Sequence, residues 1–151
     1  MIYEPSGSPK HAVALFDAND DTAEMVQRML AASGYRCLVG CLFSDLKKGR
    51  IDFARYLAQH HPEVVIFDIA PPYVENWHFL KSLRDSKAMH GRGLVLTTTN
   101  AQRLAQAVGE DSEAFDIVGK PYGLQQISLA IDAALMRARR PTLAEVRVGL
   151  S

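Results

Sequence analysis

Apolar residues gather in short runs, and four of these runs stop abruptly at polar residues. His11-Ala12-Val13-Ala14-Leu15-Phe16 meets Asp17-Ala18-Asn19-Asp20-Asp21, and Val64-Val65-Ile66-Phe67 meets Asp68 and then Pro71-Pro72. Leu94-Val95-Leu96 meets Thr97-Thr98-Thr99-Asn100, and Phe115-Asp116-Ile117-Val118-Gly119 meets Lys120-Pro121. Residues 35–42 form a fifth run. Unbroken β-branched and aromatic runs, most clearly at 64–67, suit strands covered on both faces, as in a parallel α/β sheet. Between them the apolar period changes to that of a helix. Ala23, Val26, Met29 and Leu30 share one face, capped by Asp20 or Asp21 with Thr22 and closed by Ser33-Gly34. Further helices run through Phe53, Tyr56 and Leu57 to His60, through Trp77, Leu80, Lys81 and Leu83, and through Leu104, Ala105 and Val108. The last carries Leu124, Ile127, Ile131, Ala134, Leu135 and Ala138, ends in Arg137, Arg139 and Arg140, and is stopped by Pro141. The polar, basic stretch 43–50 reads as a loop. Five strands alternating with helices predict an α/β fold, a doubly wound five-stranded parallel sheet with helices on both faces.

Composition narrows the function. A chain of 151 residues fits one domain, and 48% hydrophobic with 23% charged residues is a globular balance. The formal net charge of zero gives no broad attraction to nucleic acid or an anionic membrane. No apolar run approaches the roughly 18 residues of a membrane span, and nothing in the first residues marks export, so the expected location is cytoplasmic. Cys37 and Cys41 have neither redox nor zinc spacing and read as buried or half-buried thiols. Adjacent His60-His61 read as a helix-end cap rather than a metal site, and Trp77 as packing. No glycine-rich phosphate loop follows the first strand, which argues against a nucleotide or flavin site.

In a parallel sheet all carboxyl ends share one edge, so Asp17, Asp68, Thr97 and Lys120 can meet there. A carboxylate can accept a phosphoryl group while a cation, a hydroxyl and a divalent metal stabilise the charge on its oxygens. On these residues the chain resembles the receiver domain of two-component response regulators, over roughly residues 10–138. The resemblance implies Asp68 as phosphoacceptor, Pro72 as the proline four residues beyond it, and Thr97, with Thr98 as rival, as the switch hydroxyl. It implies Lys120 as the phosphoryl-pairing lysine before a cis proline, and Mg²⁺ held by Asp17, Asp68 and the Ala70 backbone carbonyl. It makes the protein a phosphoprotein signalling domain rather than an enzyme, at most catalysing its own phosphotransfer and dephosphorylation. The implied partners are a histidine kinase or histidine phosphotransfer protein, a downstream protein target, and a second copy packed through the fourth helix, fifth strand and last helix.

Three departures qualify that expectation. Ala18 stands where the family has its second acid, which weakens the metal site; Asp20 is the candidate to compensate. Ile117 replaces the frequent aromatic three residues before Lys120, leaving Tyr122 or the loop 97–100 as candidate moving parts. The stretch 43–51 is longer than usual and carries Lys47, Lys48 and Arg50, either solvated or a partner contact. The leading expectation is a stand-alone receiver over residues 10–140, between a flexible tail 1–9 and a tail 141–151 too short for a DNA-binding helix-turn-helix. The alternative is a pseudo-receiver, a phosphorylation-independent interaction module; a small flavodoxin-like or hydrolytic enzyme using Asp68 is the remaining one.

Overall fold

The computed structural model describes residues 10–18, 20–110 and 116–139. The expectations for both tails, for Asn19, Phe115 and Arg140, and for Pro141 as helix stop lie outside the described residues. So do those that rest on the side chains of Asp20, Asp21, Cys41 and Arg139.

The five strands are β1 (Lys10–Asp17), β2 (Tyr35–Leu42), β3 (Val64–Asp68), β4 (Gly93–Thr98) and β5 (Asp116–Gly119). All pairings are parallel and the order is β2-β1-β3-β4-β5. This order reverses between β1 and β3, the point where doubly wound sheets open a crevice at their carboxyl ends. Among the described residues the helices are α1 (Asp20–Ala32), α2 (Phe43–Lys47), α3 (Phe53–His60), α4 (Tyr73–Arg84), α5 (Ala101–Val108) and α6 (Leu124–Arg139), with a 3₁₀ turn at Lys87–Met89.

The unbroken strand runs are explained by two cores, one on each face. On one side Val13, Leu15, Val64, Ile66 and Val95 pack against Ala23, Val26 and Leu30 of α1 and Ile127, Ile131 and Ala134 of α6. On the other, Phe16, Phe67 and Leu96 pack against Phe43, Phe53, Leu57, Trp77, Leu80 and Leu104 from α2 to α5. Phe67 is the hub of that second core. It stacks on Phe16 at 5.3 Å between ring centroids and takes the edge of Phe43 at 6.0 Å. Truncating such a residue to Ala typically costs about 3–5 kcal/mol. Where α6 crosses β4, a Cβ at Gly93 would lie 2.9 Å from the Ala134 Cβ, so only glycine allows that approach.

One local expectation is corrected. Residues 43–50 are not a plain loop, because 43–47 form α2. Phe43 and Leu46 are buried, and the Leu42 amide donates to Asp45 Oδ2 at 2.9 Å, so tertiary burial and a cap create a helix that has no sequence period of its own. The end of α3 is capped at the histidine pair, as expected, through the backbone of His61. His61 adopts a left-handed backbone at φ 51° and donates its amide to the Leu57 carbonyl, while Arg36 donates to the His60 carbonyl at 3.0 Å. Trp77 is core, as expected, with the Arg84 guanidinium 5.3 Å from its ring. Cys37 is a half-buried free thiol. Among the described residues, no helix is long and apolar enough to cross a membrane.

Candidate functional site

The strand ends bring Asp17, Asp68, Thr97 and Lys120 together at the switch point between β1 and β3. Backbone hydrogen bonds set the loops that carry them: the Ile69 amide donates to the Thr97 carbonyl at 2.8 Å, and the Lys120 amide to the Thr98 carbonyl at 2.7 Å. Pro71-Pro72 and Lys120-Pro121 are both cis peptides, the second as expected and the first not foreseen.

Lys120 Nζ lies 2.9 Å from Asp68 Oδ1 and 3.5 Å from Asp17 Oδ1, so one ammonium joins both carboxylates. All three are withdrawn from water, with side-chain exposures of 15% for Lys120, 8% for Asp68 and 0% for Asp17. Burial at this depth makes the pairing obligatory, since an uncompensated carboxylate here would carry a large desolvation cost.

Thr97 Oγ1 donates to Asp68 Oδ1 at 2.8 Å, whereas Thr98 Oγ1 donates to the Tyr73 hydroxyl at 3.2 Å. The pairing register explains the difference. Asp68 and Thr97 are partners across β3 and β4, so their side chains leave the sheet together, and Thr98 faces the other way.

Asp68 is therefore asymmetric. Its Oδ1 holds both Thr97 and Lys120, while among the described residues its Oδ2 receives one long contact, from the Ala18 amide at 3.4 Å. Ala18 thus faces the carboxylate through its backbone. Ile117 is half-buried and packs against the core under α3 to α5. Tyr122, next to the cis proline, lies on the opposite side, and its buried hydroxyl has no hydrogen-bond partner among the described residues. Burial first, and then the negative charges of Asp17 and Asp68, push its ionisation far above the usual phenol range.

One neighbour of the site escapes the sequence reading. Asn76, on α4 and only 7% exposed, donates its Nδ2 to the Ala70 carbonyl at 2.7 Å and accepts from Lys47 Nζ of α2 at 2.7 Å. The signal that points to Asn76 is its place within the stripe formed by Tyr73, Trp77 and Leu80, where a polar residue has to find buried partners.

These contacts bear on the expected Mg²⁺. Magnesium needs near-octahedral oxygen donors with waters. Here Asp17 and Asp68 are both tied to Lys120, position 18 has no carboxylate, and the Ala70 carbonyl already accepts a hydrogen bond. Among the described residues no three His, Cys, Asp or Glu side chains gather as a metal site. Among the described side chains the donor set fits a resident Mg²⁺ poorly; Asp20, the candidate to compensate for Ala18, lies outside them.

No protein-family model matches this chain. The transcriptional regulatory protein GltR of Pseudomonas aeruginosa is 20% identical over 128 residues, 85% of this chain and 50% of GltR, so the chain spans about half the length of that curated relative. Among solved structures, the signal receiver domain of a two-component histidine kinase from Clostridium thermocellum is similar with a TM-score of 0.64 and 19% identity, covering 83% of this chain and 98% of that one. The signal receiver domain of a histidine kinase from Syntrophus aciditrophicus gives 0.62 and 16%, covering 89% and 96%. The chemotaxis protein CheY4 of Vibrio cholerae gives 0.61 and 18%, covering 83% and 98%. Sheet order, the position of the crevice and these likenesses agree: the chain has the fold of the response-regulator receiver domains of two-component signalling.

Proposed function

We propose that this domain accepts a phosphoryl group on Asp68 from a phosphohistidine donor, a histidine kinase or phosphotransfer protein, and signals through protein contacts. The observation that carries this reading is the asymmetry of Asp68. With Oδ1 held by Thr97 and Lys120, the lone pairs of Oδ2 are the ones left to attack phosphorus. As the Oδ2–P bond forms, the P–N bond to the donor imidazole breaks and its electron pair leaves on that nitrogen. Lys120 is placed to follow the new charge onto the phosphoryl oxygens, and Thr97 to donate to them, so the protein's part is positioning and electrostatics. Both groups leave Asp68 Oδ1 when they do so. That movement is the switch: Thr97 draws on the β4–α5 loop, and Lys120 draws on the segment that leads through Pro121 to Tyr122.

Mg²⁺ would supply charge neutralisation on the phosphoryl oxygens if bound by Asp17, Asp68 and the Ala70 carbonyl, but no step above depends on it. A second copy is proposed to pack on the face formed by α5, β5 and α6, where Leu129 and Met136 are 63% and 65% exposed.

The pseudo-receiver remains the second reading, favoured by Ala18 at the position where the resemblance has a second acid and by Ile117 in place of an aromatic residue. Incubation with acetyl phosphate followed by intact mass separates the two. The phosphoacceptor reading expects one added phosphoryl group that is absent in Asp68→Asn. No adduct at any metal concentration would leave the interaction module as the better account.

A further inference from the structure

α2 and Asn76 have no part in the function proposed so far, yet with the Ala70 carbonyl they are built as a relay. α2 is fixed at both ends. Phe43 lies edge-on to Phe67 and Phe79, Leu46 is buried, Asp45 caps the Leu42 amide, and the Arg50 amide donates to the Asp45 carbonyl at 2.9 Å. Lys47 leaves the last turn of this anchored helix and reaches across to α4.

The orientation of the Asn76 amide follows from its partners. An ammonium can only donate and a carbonyl can only accept, so the amide oxygen must face Lys47 and the amide nitrogen must face Ala70. The link therefore has one direction, from a cation to the carbonyl two residues beyond Asp68. A polarised amide is a stronger donor, so Lys47 tightens the hold of Asn76 on that carbonyl.

Two consequences follow for a cation at the Asp68 site. One of the two lone pairs of the carbonyl oxygen that a metal would need is already engaged, and an ammonium stands two hydrogen bonds behind it, where it repels a dication. Counting charged groups, Asp17 and Asp68 are offset by Lys120 within the site and by Lys47 beside it, which is the neutral balance that a metal would otherwise supply.

We propose that Lys47 and Asn76 are positioning residues that keep the Ala70 carbonyl from metal and set a fixed positive charge beside the acceptor loop, so that Asp68 takes a phosphoryl group without Mg²⁺. This rests on the reading of Asp68 as the phosphoacceptor. In the uncatalysed donor reaction with acetyl phosphate, the Asp68–phosphoryl bond forms, the acetyl–oxygen–phosphorus bond breaks on the phosphorus side, and acetate leaves with the electron pair.

The test uses the full chain with two readouts. Binding of Mn²⁺, as a probe for a hexacoordinate dication, is read from the free-ion electron paramagnetic resonance signal for the unaltered protein, Lys47→Met, Lys47→Arg and Asp68→Asn. The expected result is an unaltered protein that binds Mn²⁺ no more tightly than Asp68→Asn, and a Lys47→Met protein that binds at least about tenfold more tightly, in the range seen when groups around a metal site are changed. Lys47→Arg should behave as the unaltered protein. Lys47 is exposed, so its variants test the relay without disturbing the core; Asn76→Ser, which replaces the amide with a shorter hydroxyl, should repeat the gain in metal binding. The second readout is phosphoryl uptake from acetyl phosphate in excess chelator, which should proceed in the unaltered protein and slow in Lys47→Met until Mg²⁺ is restored. Tight, Asp68-dependent Mn²⁺ binding by the unaltered protein that Lys47→Met leaves unchanged would overturn the proposal. Failure of phosphoryl uptake under every condition overturns the phosphoacceptor reading instead, while the Mn²⁺ comparison still decides whether Lys47 and Asn76 keep metal out.

Discussion

Lys120→Met removes the ammonium and keeps most of the stem, so it isolates the charge that joins Asp17 to Asp68. At an effective dielectric of about 20, contacts of 2.9 and 3.5 Å each represent on the order of 5 kcal/mol of gross attraction. Most of this is offset by the desolvation of three charged groups, so the gross figure is not the expected loss. Deleting one partner of a buried pair costs about 3–5 kcal/mol, because the carboxylates left behind lose their compensation. Lys120 retains 15% of its side-chain exposure, which places the expectation at the lower end of that range. The assay is urea unfolding at neutral pH, followed by the emission of Trp77, the single tryptophan, with the slope checked to be unchanged. The loss should persist at high salt, since screening acts weakly on buried pairs. Adding Asp17→Asn to Lys120→Met should recover roughly 1–3 kcal/mol, the coupling expected of residues in one network. A loss below about 1 kcal/mol, or one abolished by salt, is what a solvated surface pair gives and would refute the buried-pair reasoning.

Thr97→Val leaves Asp68 Oδ1 without its hydroxyl donor and should cost about 1–3 kcal/mol and slow phosphoryl uptake; Thr98→Val loses only the Tyr73 contact, and equal effects on uptake would contradict the assignment. Gly93→Ala forces a Cβ against Ala134 and should destabilise by about 1–3 kcal/mol in the same urea assay; no change would mean that α6 shifts freely. Burial pushes the Cys37 thiol from 9.0 up to about 11. Below pH 9 both states keep that proton; between pH 9 and 11 the unfolded chain loses it first, so stability falls by roughly 2–3 kcal/mol, a step that Cys37→Ala should remove. Tyr122 is shifted upward from 10.0 and adds a further fall above that pH, which Tyr122→Phe should remove; a flat alkaline profile in the unaltered protein would contradict both assignments. Met136→Glu should reduce any self-association seen by sedimentation, and an unchanged dimer would place the interface elsewhere.

The sequence shows the strands and their polar tips because a two-faced parallel sheet demands unbroken apolar runs, and 64–67 is the plainest case. The convergence of Asp17, Asp68, Thr97 and Lys120 then follows from topology alone, because parallel carboxyl ends share an edge. What stays hidden depends on long-range contact. Thr97 and Thr98 are alike as letters, and only the register of Asp68 against Thr97 separates them. Residues 43–47 are too short to show a period, so α2 exists because Phe43 and Leu46 find Phe67 and its neighbours. Lys47 looks like one more solvated cation until α2 forms and aims it at Asn76. His61 in a left-handed conformation carries no sequence mark, since that position more often belongs to glycine.

The most direct measurement of the central claim is the location of the phosphoryl group in the chain. After reaction with acetyl phosphate, borohydride reduces an acyl phosphate to the alcohol and releases phosphate, and peptide mass mapping finds the altered side chain. The account predicts reduction at Asp68 and nowhere else. A label on Asp17, on another carboxylate, or on none would contradict it.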